Sequence, residues 1–232
     1  MDSPTTLPLE APDHAGGMLA IWHDVAPGQG AALREWYGRE HHFERLAIAG
    51  FVEVRRFERV SGTGAEVFGA YRVLAPCVLR SAGYRARVDA PSTWTREAMR
   101  HFRNMSRTVC AVAGCAGRAQ GGHVAALAGR GGALADAQAV CERLVQLPGV
   151  LQVTALAADP ETHEIHEAPA APSAEQVLRG GTDTRIGWAL LLDADSQEAA
   201  EQALATARAH TGCREPAQCA VYRLCFAARN PS

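Results

Sequence analysis

Apolar residues recur at strand and helix spacings in the first part of the chain. The run MLAIWHDV at residues 18–25 is typical of a strand, and Pro27 and Gly28 end it. Residues 31–47 follow the period of an amphipathic helix, which predicts one apolar face on this helix. That face is formed by Leu33, Trp36, Glu40, Phe43 and Ala47.

Two β-rich runs come next, at residues 51–60 and 66–74, and the turn sequence SGTG between them favours a hairpin. A second helix is predicted to begin near Pro91 and Ser92. Its apolar stripe is formed by Trp94, Ala98, Phe102 and Met105. Residues 107–113 predict a last strand. The resulting order, β-α-β-β-α-β, is typical of the ferredoxin-like plan, with two helices on one face of an antiparallel four-stranded sheet.

The same order returns after a glycine-rich linker at residues 117–122. Strands and helices alternate again at residues 123–128, 133–147, 150–157, 185–192, 196–210 and 218–227. The segment AGFVEV, from residue 49, and the segment PGVLQV, from residue 148, each close a first helix and open a second strand. Similarity over such a long period indicates a duplicated domain.

The sequence therefore predicts an α+β fold with two tandem ferredoxin-like βαββαβ repeats. The boundaries are a flexible tail at residues 1–17, a first repeat at 18–117 and a second at 118–232. Each sheet has one face covered by helices, so the two bare faces must be buried. We expect the antiparallel sheets to pack as a dimeric-type α+β barrel.

Composition excludes several classes of function. The formal net charge is −2, which gives no indication of a basic surface for nucleic acid. All 23 basic residues are arginine, because the sequence contains no lysine. Phosphate binding by a P-loop, Schiff-base catalysis and anchoring of pyridoxal phosphate all require a lysine side chain. These chemistries are excluded.

The sequence shows no targeting signal and no paired cysteine motif, and we therefore expect a cytoplasmic protein. Residues 1–17 have neither a basic nor an apolar targeting region, and no run reaches the roughly 18 apolar residues that a membrane helix needs. The seven cysteines form no CxxC pair. We expect reduced thiols, no metal site and no membrane contact.

Glu40 is the most unusual residue of the predicted apolar face, because an ionised carboxylate there needs a partner. His41 follows it, and Tyr37 lies four residues before His41. One hypothesis makes His41 a general base that Glu40 or Tyr37 orients, since imidazole changes charge near neutral pH. The alternative is that His41 caps or packs, and that Glu40 fixes the helix on the sheet by pairing with Arg39, Arg55 or Arg56.

Asp24, at the end of the first predicted strand, is a further catalytic candidate. Alternation places His23 and Asp24 on opposite faces of this strand, so only one of them can face the barrel interior. A position shortly before Pro27 and Gly28 equally suits a turn residue.

Aromatic and basic residues supply candidate ligand contacts. Trp36, Tyr37 and Trp94 predict the apolar wall of a cleft. Arg56 could hold an anionic oxygen, and the alternative is a solvated or salt-bridged arginine. His101 lies beside the second aromatic stripe, which suits either a pocket wall or an exposed helix face.

The segment at residues 159–183 contains His163 and His166 among several carboxylates. It lacks the HExxH spacing of a zinc site, and we interpret it as a solvated insertion between two strands. The chain also has no GxGxxG after a strand and no GxSxG, which argues against dinucleotide binding and an α/β-hydrolase nucleophile.

A pattern extends across the first half in WYGREH, RL, GF and RRF, at residues 36–41, 45–46, 50–51 and 55–57. It resembles the WYxxEH…RL…PGF…RRY pattern of EthD-like proteins in the dimeric α+β-barrel superfamily. WTR and HFRN, at residues 94–96 and 101–104, resemble the second helix of that group. The likeness covers roughly residues 18–113, with Ala49 where the family tends to have proline. It implies the barrel fold, whereas the activities of this superfamily range over monooxygenases, isomerases, polyketide cyclases and haem-using enzymes.

The leading hypothesis is a small-molecule enzyme or binding protein of catabolic or secondary metabolism. It would act on an apolar, oxygenated cyclic compound in a first-half cleft, because polar and aromatic residues concentrate there while the second half is rich in alanine. Proton transfer through His41 would suit isomerisation, cyclisation or cofactor-free oxygenation.

Two alternatives stay open. Related barrels hold haem through a histidine, so a haem-binding barrel is the first, and the candidate axial ligands are His23, His41, His101 and His123. A non-catalytic ligand-binding or assembly protein is the second, and a barrel interior filled with side chains would favour it. A homodimer is compatible with either, but one chain already supplies both repeats.

Overall fold

The fold is a closed barrel of eight strands, as seen in a computed structural model that describes residues 16–161, 172–180 and 183–230. All strand pairs are antiparallel, in the order β1-β3-β2-β8-β5-β7-β6-β4. The strands are β1 (Gly17–Val25), β2 (Phe51–Thr63), β3 (Val67–Val73), β4 (Phe102–Gly117), β5 (His123–Gly129), β6 (Val150–Ala158), β7 (Trp188–Ala194) and β8 (Gln218–Arg229). The predicted mixed α+β fold with an antiparallel barrel is confirmed. Most of the predicted N-terminal tail lies outside the described residues.

Helices cover the outside of this barrel. They are α1 (Gly30–Trp36), a π-helical turn (Tyr37–His41), α2 (His42–Leu46), a 3₁₀ turn (Pro76–Arg80), α3 (Ala82–Asp89), α4 (Thr93–Met99), α5 (Ala137–Leu144), α6 (Ala174–Leu178) and α7 (Gln197–Thr211). Among the described residues, none of these helices has the length and apolar character needed to cross a lipid bilayer.

The barrel interior is filled with side chains. Trp22 stacks on Phe68 with ring centroids 4.5 Å apart, and Phe57 stacks on the same ring at 5.5 Å. Tyr222 from β8 completes this aromatic centre. Because side chains alternate along a strand, His23 points away from this core and toward the helices. The space with candidate chemistry therefore lies between sheet and helices, outside the barrel.

The π-helical turn changes which residues of the first helical region face the sheet. A π turn holds an extra residue, so the buried face shifts by about one position. Tyr37, His41 and His42 are consequently all buried, whereas Phe43 is 51% exposed and Glu40 is half-buried. The predicted apolar face through Glu40, Phe43 and Ala47 is wrong beyond Trp36, because an ideal helical period was assumed.

The second helical region is shorter than its apolar stripe predicts. Helix α4 ends at Met99, and β4 begins at Phe102, which pairs with Val25 of β1. Phe102 is buried because its strand pairs with β1, so α4 does not have to extend to this residue. Trp94, predicted to share the apolar face, is 38% exposed.

The two halves are joined along two sheet edges and by a buried ion pair. Strand β2 pairs with β8, and β4 pairs with β6. Arg55 donates to both carboxylate oxygens of Asp193, at 2.5 and 3.3 Å, and the two side chains alternate in phase with interior residues of their strands. Such a pair fixes one half against the other, since each charge would be uncompensated without its partner.

Candidate functional site

Histidine and tyrosine side chains meet between the first-half sheet and its helices. His23 comes from the end of β1, and Tyr71 comes from β3. The π-helical turn and the start of α2 supply Tyr37, His41 and His42. All five side chains are buried. We call them the His–Tyr cluster.

His23 is held neutral, in one tautomer. Its Nδ1 lies 3.0 Å from the backbone oxygen of Asp24, which can only accept, so Nδ1 carries the hydrogen. Burial lowers the pKa of His23 from 6.5 to about 4. Its Nε2 therefore accepts a hydrogen bond from the Tyr37 hydroxyl at 2.9 Å. Burial also raises the pKa of Tyr37, so this phenol stays protonated.

His41 has an unused ring nitrogen. Its ring lies 4.3 Å from the Trp36 ring, and its Nδ1 is buried without a hydrogen-bond partner in the described part of the chain. Burial, together with the positive charge of Arg45 and the neighbouring His42, lowers the pKa of His41 well below 6.5. The imidazole is neutral at pH 7 and can accept a proton from a bound molecule.

His42 stacks on Tyr37, with ring centroids 4.7 Å apart and an interplanar angle of 19°. Its Nδ1 lies 3.2 Å from the hydroxyl of Tyr71, while its Nε2 is buried and unpaired among the described residues. Burial and the nearby Arg56 lower the pKa of His42 to about 3. Two neutral imidazoles thus lie side by side in a shell of aromatic rings.

An ion pair between the two halves closes the site. Arg45 donates through Nη2 to Glu175, which α6 places over the first-half helices, and both side chains are buried. Although burial opposes the charge, Glu175 holds the pKa of Arg45 above its usual value. The Nη1 of Arg45 is buried and has no acceptor within the described residues. Unpaired charged N–H groups are uncommon in protein interiors.

Helix α6 corrects the prediction of a solvated insertion at residues 159–183. The described part of this segment includes α6, whose Glu175 is buried against the first half. Arg179 also reaches the site, with its Nη1 3.8 Å from the sulfur of Met99. His163 and His166 lie outside the described residues.

The site encloses a cavity of only about 20 Å³, room for about one water molecule. His41, Arg45 and Glu175 line it. Tyr37 lines it as well and also forms part of the wall of a larger surface cleft of about 520 Å³. The Tyr37 side chain therefore lies between the small cavity and the open cleft.

Glu40 has a different partner from those considered in the sequence. Its Oε1 accepts hydrogen bonds from the hydroxyls of Ser92, at 2.6 Å, and Thr95, at 3.2 Å. Thr95 in turn accepts from Nε1 of Trp36 at 3.2 Å. Glu40 thus ties the π-helical turn to the start of α4 and orients Trp36, in place of the predicted ion pair with an arginine.

Besides Trp36 and Glu40, four predicted site residues do not line the cavity. Asp24 accepts from the backbone N–H of Glu66 at 2.9 Å and from Asn104 Nδ2 at 2.7 Å, so it ties strand ends together. Trp94 is partly exposed on α4, and His101 is half-buried after it. Arg56 is buried elsewhere, in the wall of the surface cleft.

Sequence reasoning brought His41, Tyr37 and Trp36 together and missed other members of the site. His42 and Tyr71 were not proposed, and neither was the pair of Arg45 with Glu175. The adjacent histidines at 41 and 42 give no usable signal by themselves, because neighbouring positions are also both buried in the regular helix α7, at Ala203 and Leu204. Nothing in the sequence links residue 45 with residue 175.

The described residues do not fit a haem in this arrangement. Both ring nitrogens of His23 are engaged, and the cavity beside His41 is far smaller than a porphyrin. His101 and His123 do not line that cavity. Within the described residues, no group of three or more His, Cys, Asp or Glu side chains is arranged to hold a metal ion.

Comparisons with known proteins show similarity to solved structures only. No family model matches the chain, and no curated protein does. The fold is similar to that of an anthrone oxidase-like protein, with a TM-score of 0.55 and 12% identity over 93% of each chain. It is also similar to a proposed monooxygenase from Fusobacterium nucleatum, with a TM-score of 0.50 and 8% identity over 93% of this chain and 95% of that one. At these low identities, the likeness shows that this chain shares the fold of these neighbours.

Proposed function

We propose that this protein is a small-molecule enzyme of the monooxygenase type, acting on an apolar, oxygenated cyclic compound at the His–Tyr cluster. One observation carries the proposal. Nδ1 of the neutral His41 and Nη1 of the cationic Arg45 both lack a hydrogen-bond partner among the described residues, and the two side chains line the same buried cavity. A base beside a cation suits removal of a proton from carbon, with the resulting oxyanion stabilised by the cation.

The chemistry can be written for anthrone, a tricyclic ketone with an acidic CH₂ group. His41 takes one proton from the CH₂, and the enolate oxygen is stabilised by Arg45. The enolate carbon forms a bond to dioxygen, and His41 returns its proton to the peroxide oxygen. Removal of the second C–H proton then breaks the O–O bond and releases water. One dioxygen thus converts the CH₂ to a carbonyl, and four electrons pass from carbon to oxygen.

The low pKa of free His41 is compatible with this role. A neutral imidazole is already in the base form at pH 7. When an enolate forms beside it, the negative charge raises the pKa of the imidazole and favours proton uptake. The aromatic rings of Trp36 and Tyr37 would contact a planar substrate while excluding water.

Substrate binding requires the site to open, because the cavity now holds about one water molecule. Tyr37 lies between this cavity and the cleft of about 520 Å³. Rotation of Tyr37 would join the two into a space in the usual range for small-molecule sites. We place Trp36 and Tyr37 as ligand contacts and Glu40 as a residue that positions Trp36.

We also propose that the chain is EthD-like and consists of two tandem ferredoxin-like repeats. The WYGREH segment supplies Trp36, Tyr37 and His41 to one site, which supports an EthD-like origin. In each half, the first strand lies between the third and the fourth strands, which supports two ferredoxin-like units at residues 18–117 and 118–232.

A ligand-binding protein without turnover is the second candidate. The filled barrel interior around Trp22 and Tyr222 and the small size of the cavity favour it. Under this hypothesis the cluster would hold a ligand and perform no proton transfer.

Anthrone in air-saturated buffer at pH 7 separates the two candidates. We expect dioxygen consumption and anthraquinone formation above the rate without protein. His41→Gln should lower the rate by about 10²-fold or more, because a general base is removed. His210→Gln, at an exposed histidine of α7, is the matched control and should leave the rate unchanged.

Thermal unfolding of each variant verifies that the fold is retained. Equal rates for the wild type and His41→Gln would refute the role of His41. Binding of anthraquinone by a wild-type protein that consumes no dioxygen would support the second candidate. A Soret band after addition of haem to the purified protein would instead revive the haem hypothesis.

A further inference from the structure

The open cleft of about 520 Å³ has chemistry of its own. It lies where β1 ends and α1 begins, and β2 and the start of β3 form its other side. Leu33, Tyr37 and Val67 give it a buried apolar floor. Its volume is in the usual range for small-molecule sites.

Arg56 is the unusual residue of this cleft. It is only 6% exposed, yet Glu58 is its one hydrogen-bond partner among the described residues, at 2.9 Å from Nη1. Its Nε is buried and has no acceptor there. The guanidinium carbon lies 5.8 Å from the centroid of the Tyr37 ring, which holds the cation against the apolar floor. A buried guanidinium usually has its donors satisfied more completely.

The charge of the cleft favours an anion. Its lining includes three arginines and two glutamates, a net charge of +1. Of the two carboxylates, Glu66 accepts the backbone N–H of Val25 at 3.2 Å. Glu58 is shared between Arg56 and the exposed Arg34, 3.5 Å away. An incoming carboxylate could therefore take the place of Glu58 on Arg56.

We propose that the cleft binds the acidic group of the substrate, a carboxylate on an aromatic or alicyclic ring, with the carboxylate at Arg56 and the ring along Leu33, Val67 and Tyr37. The inference rests on the proposed function in naming the ligand as the substrate. An acid held at Arg56 would place the adjoining ring against Tyr37, the side chain that separates the cleft from the His41 cavity. Arg56 thus determines specificity for acidic compounds.

Binding of 2-naphthoate and its neutral amide, 2-naphthamide, tests this site without any need for turnover. Isothermal titration calorimetry at pH 7 should give at least about tenfold tighter binding of the acid, since the amide has no negative charge and keeps only one acceptor oxygen for Arg56. Arg56→Gln should remove this preference. Arg208→Gln, at an exposed arginine of α7, should leave it unchanged.

A second variant, which should bind naphthoate more tightly, keeps the test valid if Arg56→Gln does not fold. Glu58→Gln removes the competing carboxylate and should tighten naphthoate binding by about threefold, the scale of a partly exposed ion pair. Equal affinity for acid and amide in the wild type would overturn the inference. So would a preference that survives Arg56→Gln, or weaker naphthoate binding by Glu58→Gln.

The two proposals fail in different ways. A wild-type protein that prefers naphthoate but does not oxidise anthrone supports the anion site and contradicts the proposed oxygenation. A protein that oxidises anthrone through His41 but binds acid and amide equally contradicts only the role of Arg56.

Discussion

The two halves of the barrel differ in the side chains that fill the space between the sheet and its covering helices. In the second half, α5 and α7 pack on the sheet through apolar side chains such as Leu144, Leu190 and Ala203. In the first half, the corresponding space holds the His–Tyr cluster and Arg45. A sheet covered by helices thus encloses an apolar core in the second half and a polar buried cluster in the first.

The regular helix of the second half and the interrupted helix of the first half differ in how well their buried groups are satisfied. Helix α7 is regular, begins with Ser196 as a cap and ends at Gly212 in the left-handed conformation. The first-half helix is interrupted by a π turn, and its buried histidines lose hydration without gaining full hydrogen bonding. The second half adds α6, which closes the site of the first.

The largest effect is expected for the contact between the halves. Glu175→Ala leaves Arg45 as an uncompensated buried charge, so the free energy of unfolding should fall by about 4 kcal/mol. Urea unfolding measures the change. Glu198→Ala, at an exposed glutamate of α7, is the control and should change little.

The double variant Arg45→Met with Glu175→Leu should recover most of that loss, since no charge is then left buried. A loss below 0.5 kcal/mol for Glu175→Ala, a threshold at about the level of ordinary surface substitutions, would mean that α6 does not hold the site closed.

Truncation in the apolar half comes next. Leu144, the last residue of α5, is 1% exposed, and Leu144→Ala should lower the free energy of unfolding by about 3 kcal/mol through lost burial and a cavity. Val177→Ala, at a residue of α6 that is 62% exposed, should change it by less than about 0.5 kcal/mol. Equal losses would argue against a tightly packed second half.

Acid should destabilise the polar half selectively. The pKa of His23 is about 4 in the folded chain and 6.5 when unfolded, so below pH 6.5 the unfolded chain binds more protons. Stability is therefore present above pH 6.5 and is lost as the pH falls toward 4. Between pH 7 and pH 5, His23 alone should account for about 2 kcal/mol.

Chemical unfolding of the wild type and of His23→Asn across this range measures that contribution. The variant should lose about 2 kcal/mol less than the wild type between the two pH values. Parallel curves would show that His23 is not buried as a neutral group.

The smallest effect has the opposite sign. His41→Phe keeps an aromatic ring against Trp36 and removes a buried nitrogen without a partner, so it should raise the free energy of unfolding by about 1 kcal/mol while abolishing turnover. His210→Phe, on the exposed face of α7, should leave both unchanged. A destabilised His41→Phe would show that the imidazole has a structural role.

Strand positions in the second half could be predicted closely from the sequence. The runs at residues 123–128, 150–157 and 218–227 match β5, β6 and β8 to within two residues at each end. These strands are short apolar runs bounded by turn residues, so local pattern and burial agree. The boundary between helix and strand in the first half is harder to predict. The apolar stripe there continues from α4 into β4, although the helix ends at Met99 and the strand begins at Phe102.

The hydrophobic period was enough to predict the mixed α+β fold and its antiparallel barrel, and the residue types placed the candidate histidines in the first half, because both are local properties of the chain. Only the tertiary structure decided which side chains share that site. The π turn rotated His41 and His42 inward and Phe43 outward, and α6 placed Glu175 on Arg45 from 130 residues away. Both outcomes depend on packing between distant segments, which no local spacing encodes.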